Sequence, residues 1–141
     1  MNASAVLLDS AVISYALGAD SALRQPCRAI LRAIADGDVH AYASVEMIQE
    51  VVQHRLRRSA DRTRSVRQSR DAAALCTILN FDREVLDLSL DLIERGPTIR
   101  GRDAVHAATA LIYGIEQIVS PDSAFDGIAG LTRIDPRDFF A

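Results

Sequence analysis

Short apolar runs alternate with longer amphipathic segments along this chain. Unbroken apolar runs are typical of strands covered on both faces of a sheet. They predict strands at 5–8, 39–43, 78–81, 117–119 and 131–134. Apolar stripes at three- and four-residue spacing predict helices at 22–35, 45–58, 64–75, 84–94 and 104–113. Since strands that alternate with helices form parallel sheets, we predict an α/β fold of three α/β/α layers around a mainly parallel sheet of four to five strands.

Polar residues and glycines set the predicted ends of the helices. Ser21, Ser44 and Asp82 each precede a helix and are residue types that cap helix N-termini. Gly37 and Gly114 follow helices and favour the turn that ends them. Each predicted helix between these signals is therefore a separate element.

The composition is that of an ordinary globular protein. The 141 residues are 49% hydrophobic and 25% charged with a net charge of −3, which fits a single domain over residues 1–141. No apolar run approaches the roughly 20 residues that span a bilayer, and the N-terminus lacks the pattern of a signal peptide. We therefore predict a cytoplasmic protein without a membrane segment. Cys27 and Cys76 lie in apolar segments and are predicted to be reduced thiols of the core.

Four acidic residues fall where predicted strands end or predicted helices begin. Asp9 follows the first apolar run and Asp122 follows the fourth within three residues. Asp103 opens the helix predicted at 104–113, and Glu50 lies in the helix after the second strand. Because ligands of parallel sheets bind beyond the carboxyl ends of the strands, these four carboxylates are predicted to converge at one edge.

Clustered carboxylates predict a site for a hard divalent cation. Such groups repel one another, and a cation with a preference for oxygen ligands, such as Mg²⁺, removes that penalty. The sequence has no Cys/His cluster at zinc spacing, so zinc is disfavoured. His106, three residues after Asp103, is predicted to pack against the site or to hydrogen-bond a ligand rather than to bind the metal itself. Asp126 is a further acid that can act as an outer ligand, whereas Glu46 is predicted to lie on the surface.

Four segments carry a resemblance to a known family. They are Val6-Leu7-Leu8-Asp9-Ser10, Ser44 followed by Glu50, Arg102-Asp103-Ala104-Val105-His106-Ala107-Ala108-Thr109-Ala110, and Ile118-Val119-Ser120-Pro121-Asp122 with Phe125. With these segments the chain resembles a PIN-domain ribonuclease, and within that class the VapC toxins of type II toxin–antitoxin modules. The resemblance covers essentially the whole chain, and the third segment followed by the fourth is its most specific part.

The resemblance implies a PIN-like fold and an RNA endonuclease toxin that depends on Mg²⁺ or Mn²⁺. The catalytic and metal-binding acids that it implies are Asp9, Glu50, Asp103 and Asp122. Ser10 and Ser120 match the small hydroxyl residues of the family, and we expect them to orient the metal ligands. Ala11 and Ala124 depart from the family pattern and are expected to affect metal affinity or positioning. The resemblance also implies a small antitoxin that covers the acidic pocket, and a homodimer.

An arginine-rich segment fits RNA binding. Between positions 55 and 70 there are seven arginines against one acid, Asp61. Arg55, Arg58 and Arg62 fall at helical spacing, so one helix face is predicted to contact RNA phosphates. A solvated helix–helix turn or an antitoxin-facing surface accounts for the segment equally well.

Two other functions compete with the ribonuclease. A non-catalytic PIN-like module that binds RNA or a protein is favoured by the departures at Ala11 and Ala124. A phosphatase or phospho-receiver built on Asp9 is disfavoured, because a haloacid-dehalogenase-like phosphatase needs a second Asp at position 11, and a receiver needs an acidic pair near the start of the chain.

Overall fold

A five-stranded parallel sheet forms the centre of the protein. The computed structural model describes residues 4–141. The strands are β1 (Ser4–Leu8), β2 (Val39–Ser44), β3 (Thr77–Leu79), β4 (Gln117–Val119) and β5 (Thr132–Ile134). They lie in the order β3-β2-β1-β4-β5, and every neighbouring pair is parallel. The predicted mainly parallel sheet is confirmed. Because the strand order reverses between β1 and β4, the switch point of the sheet lies at their carboxyl ends, where a ligand site is expected.

Helices cover the sheet on both faces. Within residues 4–141 they are α1 (Ser10–Leu17), α2 (Arg24–Ala35), α3 (Val45–Arg58), α4 (Arg62–Leu75), α5 (Arg83–Arg95) and α6 (Gly101–Ile112). Short 3-10 turns lie at Ser123–Phe125 and Pro136–Asp138. None of the helices in this part of the chain is long and apolar enough to cross a membrane.

Helix α1 is absent from the sequence prediction. Its eight residues are mostly apolar, and Val12, Ile13 and Ala16 are buried. Asp9 precedes the helix but makes no side-chain cap hydrogen bond. The residues of α1 are too few and too uniformly apolar to show the helical period, although Asp9 at the N-cap position is a residue type typical of helix starts.

The predicted N-caps have two outcomes. Ser44 and Asp82 each accept a hydrogen bond from the backbone N–H three residues later, at 3.0 and 3.1 Å, so both caps are confirmed. The cap predicted at Ser21 is wrong. The N–H of Arg24 bonds to the Ser21 carbonyl at 3.3 Å and closes a turn, so α2 begins only after that turn, with Leu23 in the cap position.

Alternate residues of β1 pack into opposite layers. Val6 and Leu8 belong to a core cluster with residues of α1, α2 and α3, whereas Leu7 packs with Ile118 and Phe125 on the other face. Since successive strand residues point to opposite faces, helices bury β1 on both sides. The three-layer prediction is confirmed.

Both cysteines are free thiols. Cys27 lies on the buried face of α2, in the core, and Cys76 is half-buried after α4. Burial raises the pKa of each thiol to about 11, with a smaller contribution from Asp135 at Cys27. Both thiols therefore stay protonated and weakly nucleophilic at neutral pH.

Candidate metal centre

The carboxyl end of β1 places Asp9 at the middle of the sheet edge. Its backbone N–H bonds to the carbonyl of Val119 in β4 at 3.1 Å, and Ser120 Oγ donates to Asp9 Oδ2 at 2.7 Å. The residue is only 5% exposed. Burial, and secondarily the charge of Glu50, raises the pKa of Asp9, although His106 and the Ser120 hydrogen bond oppose the shift. Asp9 is therefore a buried carboxylate without a full counter-charge.

Helix α6 brings Asp103 to the same place. The helix begins at Gly101 rather than at the predicted residue 104, so Asp103 lies within its first turn. Burial, then the charge of Asp9, raises the pKa of Asp103 from its usual 3.8 to about 6, although His106 opposes the shift. A carboxylate oxygen of each acid and a ring nitrogen of His106 all lie within 4.8 Å of one another.

Glu50 reaches this cluster through His106. The Glu50 carboxylate contacts Nε2 of His106, and the same nitrogen lies 3.9 Å from Asp9 Oδ1. On the other side of the ring, Nδ1 lies 2.7 Å from the hydroxyl of Ser44. Burial alone lowers the pKa of the imidazole, but the hydrogen bond with Glu50 and then the charge of Asp9 raise it above its usual value. The sequence indicated a histidine behind the ligands but gave no signal of its bond to Ser44.

Asp122 lies at the rim of the cluster. It is exposed, and its Oδ1 accepts a hydrogen bond from the backbone N–H of Ala124 at 2.9 Å. Its charge also contributes to the raised pKa of Asp103. Because Ala124 contributes a backbone N–H that any residue except proline supplies, its departure from the family pattern removes no contact of Asp122.

The two predicted hydroxyl residues differ in their contacts. Ser120 Oγ bonds to Asp9 and also accepts from the backbone N–H of Asp122 at 3.0 Å. Ser10 is half-buried, and within residues 4–141 its side chain makes no hydrogen bond. A backbone hydrogen bond from Ser10 stabilises the charged form of Asp9.

The carboxylates of Asp126 and Glu46 each pair with an arginine side chain. Both oxygens of Asp126 accept from Arg133, at 2.8 and 3.1 Å, and the Asp126 side chain is 55% exposed. Arg133 also donates to the carbonyl of Ser120 at 3.2 Å. Glu46 was predicted to lie on the surface, but it is half-buried and pairs with Arg102 at 3.1 Å, because α3 and the start of α6 are adjacent. An outer-ligand role for Asp126 stays a prediction.

The three predicted RNA-binding arginines do not share one helix face. Helix α3 ends at Arg58 and α4 begins at Arg62, so the helical spacing across the break has no structural meaning. Arg55 is half-buried, and its Nε donates to Gln68 Oε1 at 3.1 Å, which ties α3 to α4. The prediction that these arginines share one helix face is therefore wrong, whereas their contact with RNA phosphates stays a prediction.

A groove of about 490 Å³ leaves the acidic cluster beside Ser10 and Glu50. It runs between α1, the following loop and α3, and Tyr15, Arg57 and Arg58 line it. Arg57 is not among the predicted RNA-binding residues, because its place in the groove wall follows from the packing of α3 beside α1 and the following loop. The groove thus connects the acids to exposed cationic side chains.

The donor set fits a hard divalent cation. Buried carboxylates with raised pKa values are stabilised in their charged form by a cation, and oxygen ligands match Mg²⁺ or Mn²⁺ better than soft metals. Asp9 and Asp103 supply such oxygens from two different elements within one cluster.

Comparison with known proteins identifies the family. Residues 6–131 match the family model of the PIN domain. The chain is 36% identical to Ribonuclease VapC7 of Mycobacterium tuberculosis over 140 residues, which cover 93% of this chain and 91% of that protein. The chain therefore belongs to the PIN-domain family.

Two solved structures share the fold. The structure of FitAcB from Neisseria gonorrhoeae has a TM-score of 0.71 at 21% identity and covers 94% of this chain and 98% of its own. VapBC2 from Rickettsia felis, bound to a DNA fragment from its promoter, has a TM-score of 0.70 at 16% identity and covers 92% and 97%. The predicted PIN-like three-layer fold is confirmed.

Proposed function

We propose that this protein is a metal-dependent endoribonuclease that acts as the toxin of a toxin–antitoxin module in the cytoplasm. The observation that carries the proposal is the buried Asp9, grouped with Asp103 and His106 at the switch point of a PIN-domain sheet. The similarity to a protein named as a ribonuclease supports the reaction class.

Asp9, Glu50, Asp103 and Asp122 are the residues that would hold the metal, with Mg²⁺ as the first choice and Mn²⁺ as the second. When bound, the ion supplies an activated water and neutralises charge on the phosphodiester. The chain itself positions the acids. Ser120 holds Asp9 and the N–H of Asp122 together, and the backbone of Ser10 favours the charged carboxylate of Asp9.

The groove beside Glu50 supports a path for the RNA. Arg57 and Arg58 are exposed at its wall, and guanidinium groups pair well with phosphate. Burial and then the charge of Arg58 lower the pKa of His54 in the same wall, so that imidazole stays neutral. Phosphate binding is therefore assigned to the two arginines.

RNA cleavage with and without a chelator tests the function. Purified protein is incubated with RNA in Mg²⁺ and in EDTA, together with the variant Asp9→Asn and the control Asp91→Asn, which changes an exposed acid on α5. We expect cleavage by the wild type and the control in Mg²⁺ only, and none by Asp9→Asn. Cleavage that persists in EDTA and in Asp9→Asn would contradict the metal mechanism. Binding of RNA without any cleavage would support the non-catalytic alternative instead.

A small antitoxin is the proposed protein partner, with its tail over the acidic pocket. One structure of similar fold is named as a toxin–antitoxin complex from Klebsiella pneumoniae, and two others carry the name VapBC. We expect expression of this chain to arrest growth, and co-expression of the protein encoded beside it to restore growth. Normal growth with intact RNA would contradict the toxin assignment.

Helix α5 supports the proposed homodimer. Leu86, Leu90 and Ile93 are exposed and follow a helical spacing of four and three residues, which places them on one face. We expect light scattering after gel filtration to give twice the monomer mass, and Leu90→Glu to give the monomer. An exposed acid on the same helix, changed in Glu84→Gln, is the matched control. A monomeric wild type at tens of micromolar would exclude the dimer.

A further inference from the structure

Among the acids of this site, the Glu50 side chain depends most on a hydrogen-bond partner for a fixed position. Asp9 and Asp103 have short side chains that are fixed by the end of β1 and the first turn of α6. Glu50 has one more rotatable bond and extends from the second turn of α3. Ordering a free Glu side chain has an unfavourable entropy. Within the described residues, its carboxylate has one side-chain hydrogen-bond partner, His106.

The ring of His106 is fixed from its far side by Ser44. Ser44 Oγ accepts from the backbone N–H of Met47 at 3.0 Å, so its own proton is free to be donated. The His106 Nδ1 atom lies 2.7 Å away, so a neutral ring accepts this proton, whereas a charged ring donates to the same hydroxyl oxygen. Both side chains are fully buried, so water cannot replace either bond.

This arrangement determines where the ring carries a proton. The neutral ring that accepts from Ser44 carries its proton on Nε2, and the charged ring carries a proton on both nitrogens. In both forms the Nε2–H donates to the Glu50 carboxylate. A bare Nε2 would place two acceptors against each other, which is unfavourable. A protonated Nε2 has no lone pair for a cation, although it lies 3.9 Å from Asp9 Oδ1 and a nitrogen of the ring lies within 4.8 Å of carboxylate oxygens of Asp9 and Asp103.

We propose that Ser44 and His106 form a positioning pair that holds the Glu50 carboxylate toward the metal site, and that His106 is not itself a metal ligand. The inference rests on the proposed function, since it assumes a cation among the four acids. Ser44 is at once the N-cap of the helix that carries Glu50 and the anchor of the ring that holds its carboxylate. The bond from Ser44 to His106 holds the start of α3, and the bond from Glu50 to His106 holds its second turn. Both therefore fix this part of α3 to α6.

The decisive experiment is a double-mutant cycle read out as Mn²⁺ affinity by titration calorimetry. The variants are His106→Leu, His106→Gln, Glu50→Ala and the double variant Glu50→Ala/His106→Leu. Loss of a residue that orients a metal ligand typically lowers metal affinity roughly 10- to 100-fold. We expect that loss for His106→Leu and partial recovery for His106→Gln, because a Gln amide can donate from about the position of Nε2. In the Glu50→Ala background, His106→Leu should have no further effect.

Ser44→Ala removes the hydroxyl that fixes the His106 ring. It also removes the N-cap of α3, so the effect of a lost cap needs its own control. Asp82→Ala removes a cap of the same kind from α5, where Asp82 Oδ1 accepts from Val85 at 3.1 Å. Both variants are expected to unfold at a lower urea concentration than the wild type, since each loses a helix cap, but only Ser44→Ala should bind Mn²⁺ more weakly. This comparison remains decisive if His106→Leu fails to fold.

The possible outcomes separate this proposal from the proposed function. Additive losses in the double variant would mean that His106 binds the metal directly, which overturns the positioning pair. Unchanged Mn²⁺ affinity in Ser44→Ala and His106→Leu, beside a wild type that cleaves RNA only with metal, also overturns it and leaves the function intact. A wild type that binds Mn²⁺ but does not cleave RNA contradicts the function alone, and the cycle still decides on the pair. A wild type that binds no Mn²⁺ overturns both.

Discussion

The hydroxyl of Ser120 donates a 2.7 Å hydrogen bond to Oδ2 of Asp9, which joins residues 111 positions apart in the sequence. The Ser120 hydroxyl oxygen also accepts from the backbone N–H of Asp122 at 3.0 Å. One small side chain at the end of β4 thus fixes the acid that follows β1 and the loop that carries Asp122. The parallel pairing of β1 with β4 makes this contact, because it brings the two strand ends side by side.

We predict that Ser120→Ala weakens both metal binding and folding. Asp9 loses the hydroxyl donor of Ser120 and the N–H of Asp122 loses its acceptor, so the free energy of unfolding should fall by about 1–3 kcal/mol. Mn²⁺ affinity should fall roughly 10- to 100-fold. Urea unfolding and titration calorimetry measure the two effects. Ser123→Ala, at an exposed neighbouring position, is the control, and equal behaviour of the two variants would exclude the role of Ser120.

The stability of the metal-free protein should fall as the pH rises from 4 toward neutrality. The folded pKa of Asp103 is about 6 and its usual value is 3.8, so the native state binds more protons than the unfolded state in this interval. Stability then decreases with pH, and the raised pKa of Asp9 acts in the same direction. The raised pKa of His106 extends the decrease above its usual 6.5. Only below about pH 3.8 should the opposite slope appear, because the Arg137 pair lowers the pKa of Asp135 to about 2.

Urea unfolding at several pH values in EDTA measures this slope. Asp103→Asn removes one of the titrating groups and should flatten the curve between pH 4 and 6. Asp91→Asn, which removes an exposed acid of α5, should leave it unchanged. A wild-type stability that increases from pH 4 to 7 would contradict the burial of uncompensated carboxylates.

The sequence predicts those residues of the site whose position depends on where a strand ends or a helix begins. Asp9 and Asp103 could be placed because a strand end and a helix start follow from local apolar pattern. The bond between Ser44 and His106 joins residues 62 positions apart and depends on how α3 lies against α6, which no local pattern reports. Arg55 was misplaced for the same reason, since its partner Gln68 belongs to the next helix.

Metal binding should stabilise the fold at neutral pH. A ligand at 100 times its dissociation constant adds about 2.7 kcal/mol to the free energy of unfolding, which corresponds to a rise in Tm of about 5–10 °C for a domain of this size. We expect this shift with Mn²⁺ at pH 7.5 and its loss in Asp9→Asn. At pH 4.5 the Tm shift should be smaller, because protons compete with the metal for Asp9 and Asp103, whose pKa values are raised. An equal shift in Asp9→Asn would place the ion elsewhere.

The groove arginines should bind RNA through its phosphates, without a direct part in the reaction. Arg57→Ala and Arg58→Ala are each expected to weaken RNA binding and to lower the slope of log K against log salt by roughly 0.7, the value for one phosphate of a single strand. Turnover at saturating RNA should stay within about twofold of the wild type, since neither arginine belongs to the acidic cluster. Arg83→Ala removes an exposed arginine of α5 that pairs with Asp87, and serves as the control. Binding is measured with Asp9→Asn protein, so that the RNA stays intact. Unchanged affinity and salt slope in both groove variants would exclude this wall as the phosphate path and leave the groove to the antitoxin.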